Sequence, residues 1–185
     1  MDGVPDVVSM ATDRNGTIYE GAVGSRRLGQ GAPMTVDTVV AISSCTKTIT
    51  GTTVMQLVEE GKISLDDPAK TDVPEIAQLQ VLDGFDDHGD PKMRAPKSDM
   101  TVGQRLLHTA GFGYDFFNND LIKYGEKKHV PSVATSSMAS LCSALLFDPG
   151  ERSEYGSNID WAGFELKQGN VRERLRRTTG GPTAR

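Results

Sequence analysis

Two segments rich in apolar residues open the chain and predict two strands. They cover residues 7–11 and 17–23, and between them lies Asn15-Gly16, a dipeptide typical of tight hairpin turns. A third apolar run, residues 38–42, predicts a short further strand. Because a hairpin is barely stable by itself, these strands are expected to belong to a larger sheet.

The pattern then changes to helical spacing. Ile49, Val54 and Leu57 would share one face of a helix over residues 45–60, which Gly61 would end. Five of its positions are threonines, which are poor helix formers. Such a helix depends on tertiary packing, so we expect it to be buried on most sides.

The remainder of the chain mixes loops with short helices. Residues 62–97 are polar and contain several prolines, which predicts loops with at most one helical turn. Further helices are predicted over residues 102–109 (capped by Thr101), 115–124, 132–146 and 159–163. A small antiparallel sheet combined with several helices is typical of the α+β class.

The composition is that of one globular domain followed by a different tail. The 185 residues are 37% hydrophobic and 24% charged, with a net charge of −5. This acidic balance argues against a nucleic-acid surface over the whole domain. Residues 164–185 hold six basic and two acidic side chains without apolar periodicity, so we predict a domain over residues 1–163 and a disordered tail. Local nucleic-acid binding by the arginines of residues 172–177 is the alternative to a solvated tail.

The sequence predicts neither a membrane segment nor a bound metal. No apolar run reaches the length of a membrane span and the N-terminus has no leader-like pattern, so a cytoplasmic protein without a membrane partner is expected. Two cysteines, Cys45 and Cys142, and three histidines are not spaced as metal ligands, and no cofactor is expected. Cys45 is predicted to be a small buried packing residue. His108 is predicted to be a capping or core residue at a helix end.

Ser44 and Lys47 form the candidate chemical site. If a helix begins at or just after Ser44, Lys47 lies one turn later on the same face, which places a nucleophile beside a base. Lysine can accept the serine proton only where burial or a nearby cation lowers its pKa. The helix N-terminus would also stabilise negative charge on an attacked carbonyl. The alternative is that Ser44 merely caps the helix, a position that serine favours.

Several motifs stand in an order that resembles a known superfamily. The motifs are Ser44-x-x-Lys47 at the start of the threonine-rich helix, Leu-Leu-His-Thr-Ala-Gly at residues 106–111, Pro-Gly at residues 149–150 and Tyr-Gly-Ser-Asn at residues 155–158. Over residues 5–163 the chain therefore resembles the serine β-lactamase and penicillin-binding-protein superfamily. Within it, the resemblance is nearest to the class C-like esterases and transesterases, the family VIII carboxylesterases.

This resemblance implies a β-lactamase/transpeptidase-like fold, in which an antiparallel sheet packs against helices and a helical subdomain is inserted after the nucleophile helix. It also implies that Ser44 is the acylated nucleophile, that Lys47 lowers its proton affinity and that Tyr155 is the general base. A tyrosine can take this role because nearby cations lower the pKa of a phenol. The expected protein is a serine hydrolase of small carboxylic esters, with acyl transfer and weak β-lactam hydrolysis as additional activities.

The chain departs from the family pattern in two places. Class C β-lactamases have an asparagine two residues after the tyrosine, where this chain has Ser157, and Asn158 lies one residue further. Ser157 and Asn158 are thus the expected substrate-binding residues, and ester hydrolysis is preferred to lactam hydrolysis. The family's third motif is not recognisable, so the sheet is expected to be incomplete and the chain truncated. The alternative is a catalytically inactive fragment or a penicillin-binding-type binding protein, and the oligomeric state is left open.

Overall fold

The computed structural model describes residues 6–167 of the chain. The chain divides into two compact units, one before and one after the bond between Ser43 and Ser44. Within the described residues, the first unit is built of strands, whereas the second combines helices with one hairpin. This mixture of small antiparallel sheets and helices agrees with the predicted α+β class.

The first unit is an antiparallel sheet of three strands. Its strands are β1 (Asp6–Asp13), β2 (Gly16–Arg27) and β3 (Gln30–Pro33), hydrogen-bonded in that order. β1 and β2 pair continuously from Asp6 opposite Gly24 to Asp13 opposite Gly16, with one irregularity after Ala11. The predicted hairpin is therefore confirmed.

Local hydrogen bonds form the turn of this hairpin. Oδ1 of Asp13 accepts hydrogen bonds from the backbone N–H groups of Asn15, at 2.7 Å, and of Gly16, at 3.1 Å. Gly16 has φ = 137°, a conformation that a residue with a Cβ rarely adopts. The turn is thus determined by three neighbouring residues, which explains why the sequence alone predicts it.

The strand predicted over residues 38–42 is wrong. Thr35 and Thr38 instead close a turn, in which the Thr35 N–H donates to Thr38 Oγ1 and the Thr38 N–H donates to the Thr35 carbonyl, both at 3.0 Å. Val39 is 95% exposed, and residues 38–42 pair with no strand in the described part of the chain. An apolar run forms a strand only where a partner strand accepts its backbone hydrogen bonds.

In its described residues, 44–167, the second unit contains five α-helices and two strands. The helices are α1 (Thr46–Glu59), α2 (Val102–Leu106), α3 (Asn119–Lys128), α4 (Met138–Leu141) and α5 (Asn158–Lys167). The strands β4 (Val81–Phe85) and β5 (Pro91–Arg94) form an antiparallel hairpin. Short 3-10 turns lie at Ser43–Cys45, Ala69–Thr71, Pro74–Gln78, Asp115–Phe117 and Val133–Thr135.

Helix α1 confirms the helix predicted over residues 45–60, but only one of its faces is buried. Val54 and Leu57 pack with Ile63, Val102 and Ala162 in an apolar cluster that joins α1 to α2 and α5. By contrast, Ile49 was expected on the buried face and is 60% exposed. Burial of α1 on most sides is thus a wrong prediction for this chain.

Two other predictions fail where strand β4 forms. Residues 62–97, predicted as loops, contain the β4–β5 hairpin, whose turn is held by hydrogen bonds from His88 N–H and Asp90 N–H to Asp86 Oδ1. The helix predicted over residues 132–146 is interrupted after the four residues of α4. Beyond it, Leu145 pairs with Val81 in a parallel bridge, because its backbone completes hydrogen bonds that β4 leaves open. Tertiary pairing here overrides helical periodicity.

Helix caps agree better with the sequence. Thr101 and Gln104 form a reciprocal capping box at the start of α2, as the Thr101 cap predicts, although α2 ends at Leu106 and not at residue 109. The helix predicted over residues 115–124 begins later, at Asn119, because Asn118 accepts hydrogen bonds from the first free N–H groups of α3. Capping chemistry therefore fixes where these two helices begin.

The largest apolar cluster of the second unit surrounds Trp161. This residue is fully buried, and its ring centroid lies 6.0 Å from that of Phe112. The other buried members of the cluster are Ala69, Val73, Ile76, Leu79, Val81, Met100, Ala110 and Leu145. Because Trp161 is on α5, this cluster fixes the helix that follows the Tyr155 loop.

Helix α5 continues to Lys167, past the predicted domain end at residue 163. Residues 168–185, which hold the arginines of the predicted basic tail, lie outside the described residues. Among the helices of residues 6–167, none is long and apolar enough to cross a membrane.

Candidate active site

Ser44 lies at the start of helix α1. It is the middle residue of the 3-10 turn Ser43–Cys45, which leads directly into α1 at Thr46. The Ser44 hydroxyl is thus placed near the positive end of the α1 dipole, as predicted. Cys45 is exposed, so its predicted burial as a packing residue is wrong. Among the residues of this turn, no side chain is buried.

Tyr155 contacts Ser44 directly. Its phenol oxygen Oη donates a hydrogen bond of 2.8 Å to Ser44 Oγ, although the two residues are 111 positions apart. Tyr155 lies in the loop before α5, and the next residue, Gly156, passes so close to residues 112–113 that an added Cβ would come within 2.5 Å of Gly113 Cα. Glycine at position 156 therefore allows the loop to bring Tyr155 to the serine.

Lys47 points into a cluster of polar side chains and makes no hydrogen bond to Ser44. Its amine Nζ donates to Tyr114 Oη at 2.8 Å and lies 3.5 Å from Asp160 Oδ2. Tyr114 Oη in turn donates to the same carboxylate oxygen at 2.9 Å. The Lys47 side chain is only 15% exposed, and its Nζ lies 5.5 Å from the ring centroid of Tyr155. The structure therefore brings the predicted triad together through Tyr155.

The charge state of Lys47 differs from that of a lysine base. Burial lowers its pKa, but the hydrogen bond with Tyr114 and the negative charge of Asp160 outweigh burial, and the net pKa is raised. Lys47 is thus an ammonium ion at neutral pH, and the lowered pKa that a proton acceptor needs is not found. Burial and the Asp160 carboxylate raise the pKa of Tyr114 to about 12, so its phenol remains neutral.

His108 contacts the loop that contains Tyr155 and holds its backbone. Its ring centroid lies 4.8 Å from that of Tyr155, and Nδ1 accepts a hydrogen bond of 3.3 Å from the Gly156 N–H. Burial, followed by the nearby charge of Lys47, lowers the pKa of His108. A neutral imidazole with an accepting Nδ1 carries its proton on Nε2. The predicted capping or core role agrees with this placement, since the ring holds a backbone segment.

Ser157 and Asn158 are buried in the second unit, with 4% and 0% of their surface exposed. Asn158 Nδ2 donates to the carbonyls of Phe112, at 3.3 Å, and Glu154, at 3.4 Å, and so fastens the loop. Within the described residues, Asn158 Oδ1 is buried without a hydrogen-bond partner. The role of both residues in binding substrate stays a prediction.

Two site residues, Tyr114 and Asp160, are not found by reasoning from the sequence. The sequence analysis gives neither residue a role in the site, and they are 46 positions apart. One signal could have indicated Asp160, because a lysine expected to be buried needs an acidic partner. Asp160 is the first carboxylate after Tyr155 in the chain.

The described part of the chain offers no metal site. Within residues 6–167, no three His, Cys, Asp and Glu side chains gather in a way that could hold a metal ion.

Solved structures with a similar backbone show the class of fold. Unliganded simvastatin synthase LovD from Aspergillus terreus matches with a TM-score of 0.78 and 29% identity, covering 94% of this chain and 47% of that chain. The hydrolase EstCE1, at 24% identity and a TM-score of 0.68, shows the same fold. The fold is thus β-lactamase/transpeptidase-like, as the resemblance implied.

Sequence comparison gives the family. The beta-lactamase family model matches residues 1–162, so the chain belongs to the beta-lactamase family. The acyltransferase mokF of Monascus pilosus is 35% identical over 167 residues, covering 86% of this chain. Lovastatin esterase of Penicillium rubens is 34% identical over 161 residues, covering 84% of this chain. The chain spans about 40% of the length of both relatives.

Proposed function

We propose that this chain carries the nucleophile and proton-transfer residues of an acyl-serine enzyme that hydrolyses small carboxylic esters or transfers their acyl groups. The observation that carries the proposal is the hydrogen bond of 2.8 Å between Tyr155 Oη and Ser44 Oγ beside the ammonium of Lys47. The names of the two relatives, an acyltransferase and an esterase, support the same class of reaction.

In the first half-reaction Ser44 attacks the ester carbonyl. Tyr155, in its phenolate form, accepts the proton from Ser44 Oγ while the new bond from Oγ to the carbonyl carbon forms. The carbon–oxygen bond to the leaving alcohol then breaks, and Tyr155 returns the proton to that alcohol. In the second half-reaction, water or an acceptor alcohol attacks the acyl carbon and Tyr155 accepts its proton. The bond between Ser44 Oγ and the acyl carbon then breaks, and Tyr155 returns the proton to Ser44 Oγ.

Lys47 acts in this scheme as a fixed cation and not as the base. Its raised pKa keeps it protonated, so it has no lone pair with which to accept a proton. A positive charge 5.5 Å from the centroid of the Tyr155 ring stabilises the negative charge that develops during acylation. The roles implied by the resemblance therefore fit the hydrogen bonds around Lys47 better than a direct serine–lysine pair does.

The decisive experiment is covalent labelling of the folded chain. A fluorophosphonate should add one label, and peptide mapping should find it on Ser44, since this serine alone is paired with Tyr155. Ser44→Ala should abolish labelling, and the adjacent Ser43→Ala should retain it as the matched control. A label on Ser43 or Cys45, or none on a folded sample, would contradict the proposal and favour the catalytically inactive alternative.

A second measurement separates hydrolysis from transfer and from lactam binding. The chain is incubated with an activated ester, with and without an excess of a small alcohol, and the acid and ester products are quantified. Formation of a new ester indicates transfer, whereas free acid alone indicates hydrolysis. A fluorescent penicillin that forms a stable adduct at Ser44 without ester turnover would instead identify a penicillin-binding-type protein.

A further inference from the structure

Lys47, Tyr114 and Asp160 form a closed triangle of polar contacts. The distances are 2.8 Å from Lys47 Nζ to Tyr114 Oη, 2.9 Å from Tyr114 Oη to Asp160 Oδ2 and 3.5 Å from Lys47 Nζ to the same Oδ2. An ammonium group only donates, and a phenol both accepts and donates, so the direction of each hydrogen bond in the triangle is determined. Lys47 Nζ thus donates one hydrogen bond to Tyr114 and forms an ion pair with Asp160.

Resting on the proposed function, we infer that Asp160 and Tyr114 are positioning residues that hold the Lys47 ammonium beside the Ser44–Tyr155 pair. Neither residue touches Ser44 in the described contacts, and both act through Lys47. Without them, a long lysine side chain would have several rotamers available to it. Their contact therefore selects the orientation that the acylation step requires.

The three residues come from separate segments that packing holds together. Lys47 lies in the first turn of α1, Asp160 in the first turn of α5 and Tyr114 in the loop after α2. One turn further along the two helices, Gly163 packs beside Thr50, where an added Cβ would make an ordinary van der Waals contact of 3.6 Å with Thr50 Cγ2. The two helices thus approach closely just beyond the triangle, so the lysine and the carboxylate are held at fixed positions.

Within residues 6–167, four ionisable groups lie around the Lys47 amine. Asp160 supplies a negative charge, and the phenols of Tyr114 and Tyr155 lie close to the same amine. His108 lies near enough for the positive charge of Lys47 to lower its pKa. Removal of the Asp160 charge should therefore lower the pKa of Lys47, because this carboxylate raises it.

The first test measures the titration of Lys47 itself. Competitive acetylation at a series of pH values, read by mass spectrometry, gives the apparent pKa of each lysine in wild type and variants. Asp160→Asn keeps an acceptor for Tyr114 but removes the charge, so the apparent pKa of Lys47 should fall by at least about one pH unit. Asp160→Glu keeps the negative charge, so the apparent pKa of Lys47 should return most of the way to its wild-type value. Asp99→Asn, which removes an exposed partner of Lys70, is the matched control and should leave Lys47 unchanged.

The second test follows the labelling of Ser44 as pH is varied. Because only protonated Lys47 places a positive charge beside the Ser44–Tyr155 pair, labelling should decline as pH rises through the pKa of Lys47, and Asp160→Asn should move this decline to lower pH by at least about one unit. Tyr114→Phe keeps the aromatic contacts and should move the decline in the same direction, because the hydrogen bond with Tyr114 is the largest of the interactions that raise the pKa of Lys47. A folded Asp160→Asn chain that loses rate equally at every pH would show a merely structural role and overturn the inference.

The two proposals fail in distinguishable ways. If wild type is not labelled at Ser44 but Asp160→Asn still lowers the apparent pKa of Lys47, the proposed function fails and the positioning contact remains. If wild type is labelled but neither Asp160→Asn nor Tyr114→Phe shifts the Lys47 titration, the positioning inference is overturned alone. Should Asp160→Asn fail to fold, Tyr114→Phe decides by the same two measurements.

Discussion

The two units of the chain treat apolar side chains in opposite ways. In β1 and β2 no side chain is buried, and Ile18 and Val23 are 69% and 72% exposed. In the second unit, Trp161 and Leu145 are fully buried in the main apolar cluster. The hairpin therefore gets its shape from turn and backbone hydrogen bonds, whereas the second unit depends on side-chain packing.

This difference bears on the candidate site, because every contact described for it lies within the second unit. Ser44 and Tyr155 meet only because α5 and its preceding loop are fixed by the cluster around Trp161. Stability and labelling should thus respond strongly to changes in that cluster. Substitution of the exposed apolar residues of the hairpin should have little effect on stability. Four experiments test this contrast between the hairpin and the second unit, from the largest expected effect to the smallest.

The largest effect is expected for Trp161→Ala. Deletion of a fully buried tryptophan leaves a cavity in the main cluster and should lower the free energy of unfolding by about 3–5 kcal/mol. Urea denaturation followed by circular dichroism measures this loss. Trp161→Phe keeps an aromatic ring against Phe112 and should lose less. A loss under about 1 kcal/mol for Trp161→Ala would show that the cluster does not hold the second unit together.

Tyr155→Phe should affect chemistry and leave stability nearly unchanged. The variant lacks the hydroxyl that contacts Ser44, so fluorophosphonate labelling should slow by roughly 10²-fold, about 2.7 kcal/mol in activation free energy. Because Tyr155 is 43% exposed, the unfolding temperature of the variant should change little. Tyr19→Phe in the exposed hairpin is the matched control. An unchanged labelling rate would indicate that Lys47 activates Ser44 without the phenol.

The stability of the second unit should depend on pH between about pH 10 and 12. Burial raises the pKa of Tyr114 to about 12, and the contacts of Lys47 raise its pKa above the ordinary value despite partial burial. A raised pKa gives stability that is complete below the unfolded-state value near 10 and is lost as pH rises through the folded-state value. The loss should total roughly 1–3 kcal/mol.

Urea denaturation at a series of pH values from 8 to 12 measures this dependence on the alkaline side. Tyr114→Phe should flatten the curve, since it removes one of the two groups and a partner of the other. Tyr19→Phe, which alters an exposed tyrosine, should leave the curve as in wild type. If wild type and Tyr114→Phe lose stability in parallel, the Tyr114 hydroxyl does not form the described contacts in solution.

Features held by near neighbours in the sequence are the ones that could be predicted. The hairpin turn depends on Asp13, Asn15 and Gly16, and the start of α2 depends on Thr101 and Gln104. In each case all of the interacting residues lie within four positions of one another, so a local sequence pattern is enough to predict the interaction. The Ser44–Tyr155 pair spans 111 positions and was reached only through the family resemblance.

Features that depend on distant pairing could not be predicted. The helical periodicity of residues 132–146 was overridden where Leu145 bonds to the β4 backbone, which no local pattern records. The strand at residues 38–42 was wrong because a strand needs a partner and not only an apolar run. The Tyr114–Asp160 contact could not be predicted for the same reason, because two polar residues 46 positions apart come together only once α5 has packed against the rest of the second unit.

The smallest effect is expected for Ile18→Thr in β2. Ile18 is 69% exposed and threonine also favours strands, so the free energy of unfolding should change by no more than about 0.5 kcal/mol. The Trp161→Ala measurement, repeated on this variant, gives the comparison within one method. Val54→Thr, at a site that is 2% exposed on α1, is the matched control and should be clearly destabilising because it buries a hydroxyl. If Ile18→Thr instead costs as much as Val54→Thr, then Ile18 is covered by other atoms in solution. The contrast between an exposed hairpin and a packed second unit would then be wrong, because side-chain burial and not turn chemistry would stabilise the hairpin.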